Sequence, residues 1–447
     1  MLEAEVNNDR TILDYLNEDC WRAVLQYVPA QDLVRTERAS RVWQAMVLTH
    51  LQGVHINIEK NDWNKKENPF NTCTLTRSEY KSFESWTKKL GASVASVYCD
   101  SLENLAKIKE NCPNLGALQL YRIECTESEL HQYNLHDNFK FLQRVSFYWC
   151  SVGDTTFSKF IADKALEKIE FRYCRYLTGL FFSTINTTNL KSLILESCCN
   201  LQFIQHSVAD HLGSLTELKV TRVNKEIGYD VQFELEKMAK LEWLELQCSN
   251  MLFGFPEKLG QLPRLEHLGL SFYLDDWDLK KMLQCCGALR SLELLDCEYS
   301  DGFVRVISEH GGALTAVRLD HFEAKDDDVL QLVSGCPKLE SLTIGGATRL
   351  TPALPARSAA ARAQHAGRLR FHLGRTNLGD MWRKDQESQH SGQNEEMMTL
   401  KTKYKELIVV YDKTINEYGE ESEFEDSDDE SEWYYEEECE EDEDEDE

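Results

Sequence analysis

Apolar residues recur along this chain in a fixed six-residue pattern. An aliphatic or aromatic position is followed by two variable ones, a second apolar position, one variable position and a third apolar one. The pattern reads Leu115, Leu118, Leu120; Leu142, Val145, Phe147; Leu166, Ile169, Phe171; Leu190, Leu193, Leu195; and Leu215, Leu218, Val220. It goes on through Leu241, Leu244, Leu246; Leu265, Leu268, Leu270; Leu289, Leu292, Leu294; Leu314, Val317, Leu319; and Leu339, Leu342, Ile344. First positions lie 24 to 27 residues apart throughout. The last two apolar positions alternate at the period of a strand, whereas Leu102, Leu105, Ile108 and Val329, Leu330, Leu332, Val333 between such strands follow helical spacing. A unit of one short strand and one helix cannot bury its own apolar face. Ten copies therefore predict a curved solenoid of stacked units with parallel strands on the concave wall. Weaker copies at Leu51, Val54, Ile56 and at Val94, Val97, Cys99 precede the array.

Cysteine stands three residues after the third apolar position at Cys150, Cys174, Cys198 and Cys297, and just before the next repeat in Cys112-Pro113, Cys285-Cys286-Gly287 and Cys336-Pro337. A small, weakly hydrogen-bonding thiol suits a turn beneath a stacked strand. No C-x-x-C pair occurs, so the cysteines predict packing rather than metal binding. Period, pattern and cysteine positions together resemble the cysteine-containing class of leucine-rich repeats.

Residues 12 to 47 depart from the repeat. Asn17 reads as an N-cap, with Glu18 and Asp19 in the first turn. Trp21, Val24, Leu25 and Val28 then share one helical face up to Pro29. Leu33, Val34, Ala39, Val42 and Trp43 supply further apolar surface, and about 40 residues are too few for a robust core of their own. Leu16-Asn17-Glu18-Asp19, Leu25, Val28-Pro29, Asp32-Leu33 and Ala39-Ser40-Arg41-Val42-Trp43 resemble the F-box, with Asn17 in place of its usual proline and Ala-Ser in place of Val-Cys. A cysteine-type repeat array follows directly. The resemblance implies the substrate receptor of a Skp–cullin–F-box ubiquitin ligase: the F-box docks on the Skp adaptor, and through it on the cullin and RING subunits, while the repeats hold a protein substrate. Leu16, Asn17, Leu25, Val28, Leu33 and Trp43 fall where that family contacts or supports the adaptor.

Side chains alternate along a strand, so the residues flanking the second and third apolar positions line the concave wall. Tyr148, Arg144, Lys168, Arg172 and Trp243 are the candidate substrate contacts. The basic trio Arg144, Lys168 and Arg172 would suit an acidic or phosphorylated peptide, or this chain's own tail. Glu217, Glu245 and Glu293 are expected along one file. Trp243 is either a partner anchor or packs on Lys219 or His267, or under the C-terminal segment.

Charge changes the picture mainly at the end of the chain. The formal net charge is −28, but residues 417 to 447 hold 21 acidic residues and no Lys or Arg, which leaves −7 for the rest. That excludes a globally basic nucleic-acid binder. The tail reads as a solvated, disordered polyanion, with Ser422 and Ser427 in acidophilic-kinase contexts. It also resembles the acidic tails of leucine-rich nuclear phosphoproteins, whose non-enzymatic, histone-binding role is the alternative reading. No apolar run is long enough for a membrane span, and no secretory signal is evident, so a cytoplasmic or nuclear setting is expected. Phosphate-binding, dinucleotide, zinc-protease and serine-nucleophile motifs are missing, which predicts no enzyme activity, cofactor or metal.

The expected organisation is α/β: a three-helix F-box over 11–50, a connector or first irregular repeat over 51–93, and the solenoid over 94–345. An irregular Ala/Arg-rich segment over 346–392, a possible capping helix over 394–418 and the acidic tail over 419–447 complete it.

Overall fold

The computed structural model describes residues 17–25, 27–28, 32–33, 36, 39–51, 55–58, 72–75, 88, 91–132, 139–161, 164–183, 188–201, 213–221, 235–247, 254–272, 274–295, 297, 302–347, 349–363, 368–374, 397–400 and 407–412. The acidic tail, Leu16 and most of the 51–93 connector lie outside them.

Two helices open the described chain, α1 (Glu18–Leu25) and α2 (Arg41–Leu51). Asn17 caps α1 by accepting the Cys20 N–H at 2.9 Å, and Ser40 caps α2 by accepting the Trp43 N–H at 3.0 Å. Each side-chain oxygen satisfies a donor that the first helical turn leaves open. Strands β1 (His55–Ile58) and β2 (Thr72–Leu75) then pair in parallel, and β1 lies beside the start of the main array.

That array alternates strand and helix as the repeat pattern requires. Its strands are β3 (Ser96–Cys99), β4 (Ala117–Tyr121), β5 (Arg144–Tyr148), β6 (Lys168–Arg172), β7 (Ser192–Glu196), β8 (Glu217–Thr221), β9 (Trp243–Gln247), β10 (His267–Ser271), β11 (Ser291–Leu294), β12 (Ala316–Leu319), β13 (Ser341–Gly345) and β14 (Leu369–Gly374). Between them run α3 (Leu102–Asn111), α4 (Glu127–Gln132), α5 (Asp154–Ile161), α6 (Phe255–Leu259), α7 (Asp276–Cys285), α8 (Phe303–His310), α9 (Asp326–Gly335) and α10 (Leu354–Arg362), with single 3-10 turns at Leu180–Ser183 and Leu235–Lys237. Successive strands from β3 to β14 pair in parallel, each repeat beside the next. The second and third apolar positions stay in register: Leu193 faces Ile169 and Leu218, and Leu195 faces Phe171 and Val220. They form one continuous core beneath the sheet, which also takes in Leu25, Leu33, Val47 and Leu51 of the N-terminal helices. The small helical module thus borrows the solenoid's core, as its size demands.

Strand ends are set by backbone handedness. Arg122, Trp149, Tyr173 and Ser197 have φ between 49° and 57°, a left-handed conformation that costs a side-chain-bearing residue about 1 kcal/mol or more. Each is held because its N–H donates to the neighbouring strand: Trp149 to the Arg172 carbonyl and Tyr173 to the Glu196 carbonyl, both at 2.9 Å. The reversal tucks the next residue under the sheet. There the thiols of Cys150, Cys174, Cys198 and Cys297 donate to the Leu120, Phe147, Phe171 and Leu270 carbonyls at 3.4–3.8 Å. Cys112, Cys286 and Cys336 instead end helices α3, α7 and α9. Burial pushes the Cys112, Cys198 and Cys286 thiols up to about 12, so they stay protonated and unreactive. Carboxylates tie neighbouring repeats on the helical side. Asp154 accepts the N–H groups of Thr178, Gly179 and Phe181 and the Thr178 hydroxyl, all at 2.8–3.0 Å. Asp326 does the same for the Thr351 N–H and hydroxyl at 2.8 and 2.5 Å.

Two expectations for the C-terminal part need correction. The Ala/Arg-rich stretch is not irregular: α10 packs against α9, and β14 extends the sheet. Its alanines serve because the two helices lie close, burying Ser358 and Ala359. Arg362 is buried too, with its guanidinium donating to the Pro337 carbonyl at 3.0 Å. The described residues of the 394–418 segment are strand, not helix. They form strands β15 (Met397–Leu400) and β16 (Leu407–Asp412), β16 pairing in parallel with β14 and β15 antiparallel with β16. The run Leu407-Ile408-Val409-Val410-Tyr411 is dominated by β-branched and aromatic residues, which favour a pleated surface over a helix.

An aromatic cluster stiffens the middle of the core. Phe157 sits 4.7 Å from Phe171 and 4.9 Å from Phe181 between ring centroids, and Phe147 is 5.2 Å from Phe171. Replacing Phe157 with alanine should cost about 3–5 kcal/mol, read as a lowered urea midpoint. A change below about 1 kcal/mol would show that this cluster does not bind the repeats together.

Candidate functional site

Strand register sorts the concave wall into rows. The first runs Ala117, Arg144, Lys168, Ser192, Glu217, Trp243, His267, Ser291, Ala316. The second runs Gln119, Ser146, Glu170, Ile194, Lys219, Glu245, Gly269, Glu293, Arg318, and the third begins Tyr121, Tyr148, Arg172, Glu196, Thr221. The acidic file expected from the sequence is therefore split. Glu217 shares a row with Trp243 and His267, while Glu245 and Glu293 flank Gly269 in the next.

The basic trio is not a free cationic patch. Glu170, buried at the centre, accepts from Arg172 Nε at 2.7 Å, Tyr148 OH at 3.0 Å and Ser146 Oγ at 3.2 Å, with Lys168 Nζ at 3.4 Å. Arg172 also reaches buried Glu196 at 3.1 Å. Burial works to raise the Glu170 carboxyl, yet Arg172, Lys168 and the hydrogen bonds outweigh it and hold the group below the usual carboxylate range. Tyr148 is driven up, chiefly by burial and by the Glu170 charge. Lys168 and Arg172 thus neutralise carboxylates of their own wall, and only Arg144 of the three stands exposed without a partner among the described residues.

Trp243 joins a second cluster. Its indole stacks on His267 with centroids 3.4 Å apart, its Nε1 donates to Glu245 at 2.8 Å, and it remains 39% exposed. Packing on His267 and partial exposure therefore occur together. Lys219 pairs with Glu245 at 2.9 Å and Arg318 with Asp320 at 2.8 Å. Burial, opposed by Glu245 and reinforced by Lys219, lowers the His267 imidazole to about 4.

At the other end, the structure divides the expected adaptor residues by burial. Leu25 and Leu33 are wholly inside, so they support the module and present no surface. Val28 and Trp43 are half-buried, Trp43 meeting Trp21 edge to face at 5.9 Å, and Asn17 is an exposed cap. Val24, Tyr27 and Val42 are the apolar side chains left outside, at 47%, 70% and 54% exposure. Their exposure was not readable from helical periodicity, because Val24 shares its helical face with the buried Trp21 and Leu25. The stacked pair Trp149 and Tyr173, centroids 4.1 Å apart, was also missed. It sits at the left-handed strand ends, which the apolar pattern does not mark.

No family model and no curated protein matches the chain. Among solved structures, the chain is similar to one described as the Rad7 and Elc1 complex in yeast, at 14% identity over 75% of this chain and 90% of that one, with a TM-score of 0.46. It is also similar to an internalin from Listeria monocytogenes, at 13% identity over 78% and 93%, with a TM-score of 0.36. Likenesses this distant carry nothing about function, and the architecture rests on the strand ladder itself. The chain is a leucine-rich-repeat solenoid. Among the described residues no three His, Cys, Asp or Glu side chains gather as metal ligands, and no helix is long and apolar enough to cross a membrane.

His267 gives a pH test of this geometry. Its folded value lies below the ordinary 6.5, so the unfolded chain binds the extra proton first as pH falls. The folded chain should therefore lose stability between pH 6.5 and about 4, up to about 3 kcal/mol from this group. His267→Phe, which keeps a ring under Trp243, should show a shallower loss over that window in urea melts. Parallel curves would place His267 in solvent.

Proposed function

We propose that this chain is the substrate-recognition subunit of a Skp–cullin–F-box ubiquitin ligase. Its N-terminal helices bind the Skp adaptor, and the concave wall binds a protein substrate. The observation that carries the reading is the exposure of Val24 on α1, Val42 on α2 and Tyr27 just past α1, while Leu25, Leu33, Val47 and Leu51 are committed to the solenoid's core. Apolar side chains left in water cost hydration, which fits helix-to-partner docking through a few apolar anchors such as Val24 and Val42. They occur in the segment whose sequence resembles the F-box. In this reading the chain performs no chemistry. Ubiquitin transfer falls to the RING and conjugating subunits that the adaptor and cullin bring, in the cytoplasm or nucleus.

Co-expression with the Skp adaptor should yield a complex that co-purifies. Val24→Asp with Val42→Asp should reduce capture by at least about tenfold while the melting curve stays unchanged, because both side chains already face water. Changing Leu25 or Leu33 cannot make this distinction, since either would damage the core. An adaptor that ignores the unaltered chain, or binds the double variant equally well, overturns the proposal.

A further inference from the structure

The concave wall between β8 and β11 leaves specific valences open. Lys219 is matched by Glu245, and Arg318 by Asp320. Two carboxylates in the same stretch have no cationic partner within ion-pair distance among the described residues. Among the described residues Glu217 accepts only the Ser192 hydroxyl, and the Glu293 carboxyl makes no hydrogen bond or ion pair. Burial holds the Glu293 carboxyl above its ordinary value; Arg318 opposes the shift, and Glu245 and Asp320 add to it.

Beside Glu293 the second row has no side chain of its own at Gly269, and the Glu245 side chain leans across that position. Gly269 lies between Glu293 and Glu245 in the second row, and a β-carbon there would come within 2.7 Å of Glu245 Cγ. Ser291 and Ala316 keep the adjacent first row low. His267, 96% buried, turns its Nε2 toward Glu245 at 3.8 Å, and that nitrogen has no hydrogen-bond partner. A buried ring nitrogen without a partner is costly in a finished fold. It marks a place where a donor from outside would complete the structure. At the other end of the cluster, Trp243 has His267 against one face and Glu217 as its neighbour on the next strand, with its indole partly in solvent.

We propose that this stretch binds an extended segment of a partner protein through two arginine side chains, one between Trp243 and Glu217 and the other beside Gly269 against Glu293 and His267. The inference rests on the reading of the concave wall as the substrate face, and names the substrate's chemistry. A guanidinium has five in-plane donors and stacks on an indole, whereas an ammonium is a compact, strongly hydrated charge. It can therefore serve a carboxylate and the imidazole nitrogen together, and cover a tryptophan face. Spacing adds a second constraint. One place lies between β8 and β9 in the first row and the other between β10 and β11 in the second, two strand intervals and one row apart, about 12 Å, which an extended chain covers in about four residues with both side chains on one face. The recognised element is Arg-x-x-x-Arg in extended form, crossing the strands.

The test uses the full chain, at physiological salt, with a fluorescent Arg-Ser-Gly-Ser-Arg peptide read by anisotropy, and its isomer with adjacent arginines. The spaced peptide should bind more tightly than the isomer. Glu217→Gln and Glu293→Gln should each weaken it by at least about fivefold, without moving the melting curve. Arg144→Gln, on the other half of the wall, should leave it unchanged. No binding, equal binding of the two peptides, or full binding by both glutamine variants overturns the proposal; the last two results would place the attraction in the acidic tail. The Val24→Asp, Val42→Asp chain should bind the spaced peptide normally, so the peptide site and the adaptor reading fail separately.

Discussion

Parallel strand pairing in constant register is the constraint on which everything else in this protein depends. Each repeat is too small to cover its own apolar face, so Leu193 is buried only because Ile169 and Leu218 lie on either side of it. The same register that stacks the apolar positions also stacks the outward ones. It turns isolated polar residues on consecutive strands, about 4.8 Å apart, into the rows of the concave wall. A one-residue slip would exchange core and wall. Left-handed residues such as Trp149 and Tyr173, and the thiols tucked beneath them, guard against that slip by ending each strand at the same place.

How far the sequence reveals this depends on which positions carry the signal. Where three apolar residues mark a repeat, a strand follows each time from β4 to β13, and the described connections are helices or, after β6 and β8, 3-10 turns. The array seemed to stop after Ile344 because the next repeat breaks the pattern at its first position. Phe371 and Leu373 pair with Leu342 and Ile344, but Arg368 occupies the place corresponding to Leu339. Leu369, one residue later, is buried beside it. The helix of that repeat relies on alanines, which suffice only when the neighbouring helix is close, a tertiary fact with no local signature. The concave residues were legible as a face, but their pairings were not. Alternation says that Arg172 points outward; that its charge is spent on Glu170 and Glu196 depends on side-chain reach across neighbouring strands.

The N-terminal helices show the same division between what periodicity can and cannot say. Helical spacing groups Trp21, Val24, Leu25 and Val28 on one face, yet the structure separates them, with Leu25 joining the solenoid core and Val24 left in solvent. The module is stabilised by its neighbour through Leu25, Leu33, Val47 and Leu51, while Val24 and Val42 stay exposed. That separation makes an apolar surface tolerable, because altering it need not unfold the module.

Self-neutralisation on the wall also bears on how its residues act. Where a cation and a buried carboxylate are paired, removing the cation leaves an uncompensated charge, a change that typically costs 3–5 kcal/mol. Loss of binding after altering Arg172 would therefore report on Glu170 and Glu196 as much as on a partner. Paired residues hold the shape of the wall, and the unpaired ones are available to a ligand. Among the described residues the unpaired group on the N-terminal half is the exposed Arg144; on the C-terminal half they are the part-buried Glu217 and Glu293, with the half-exposed Trp243 between them. Recognition by such a surface comes from the few valences left over once the fold has satisfied its own charges, and not from the total charge of the wall.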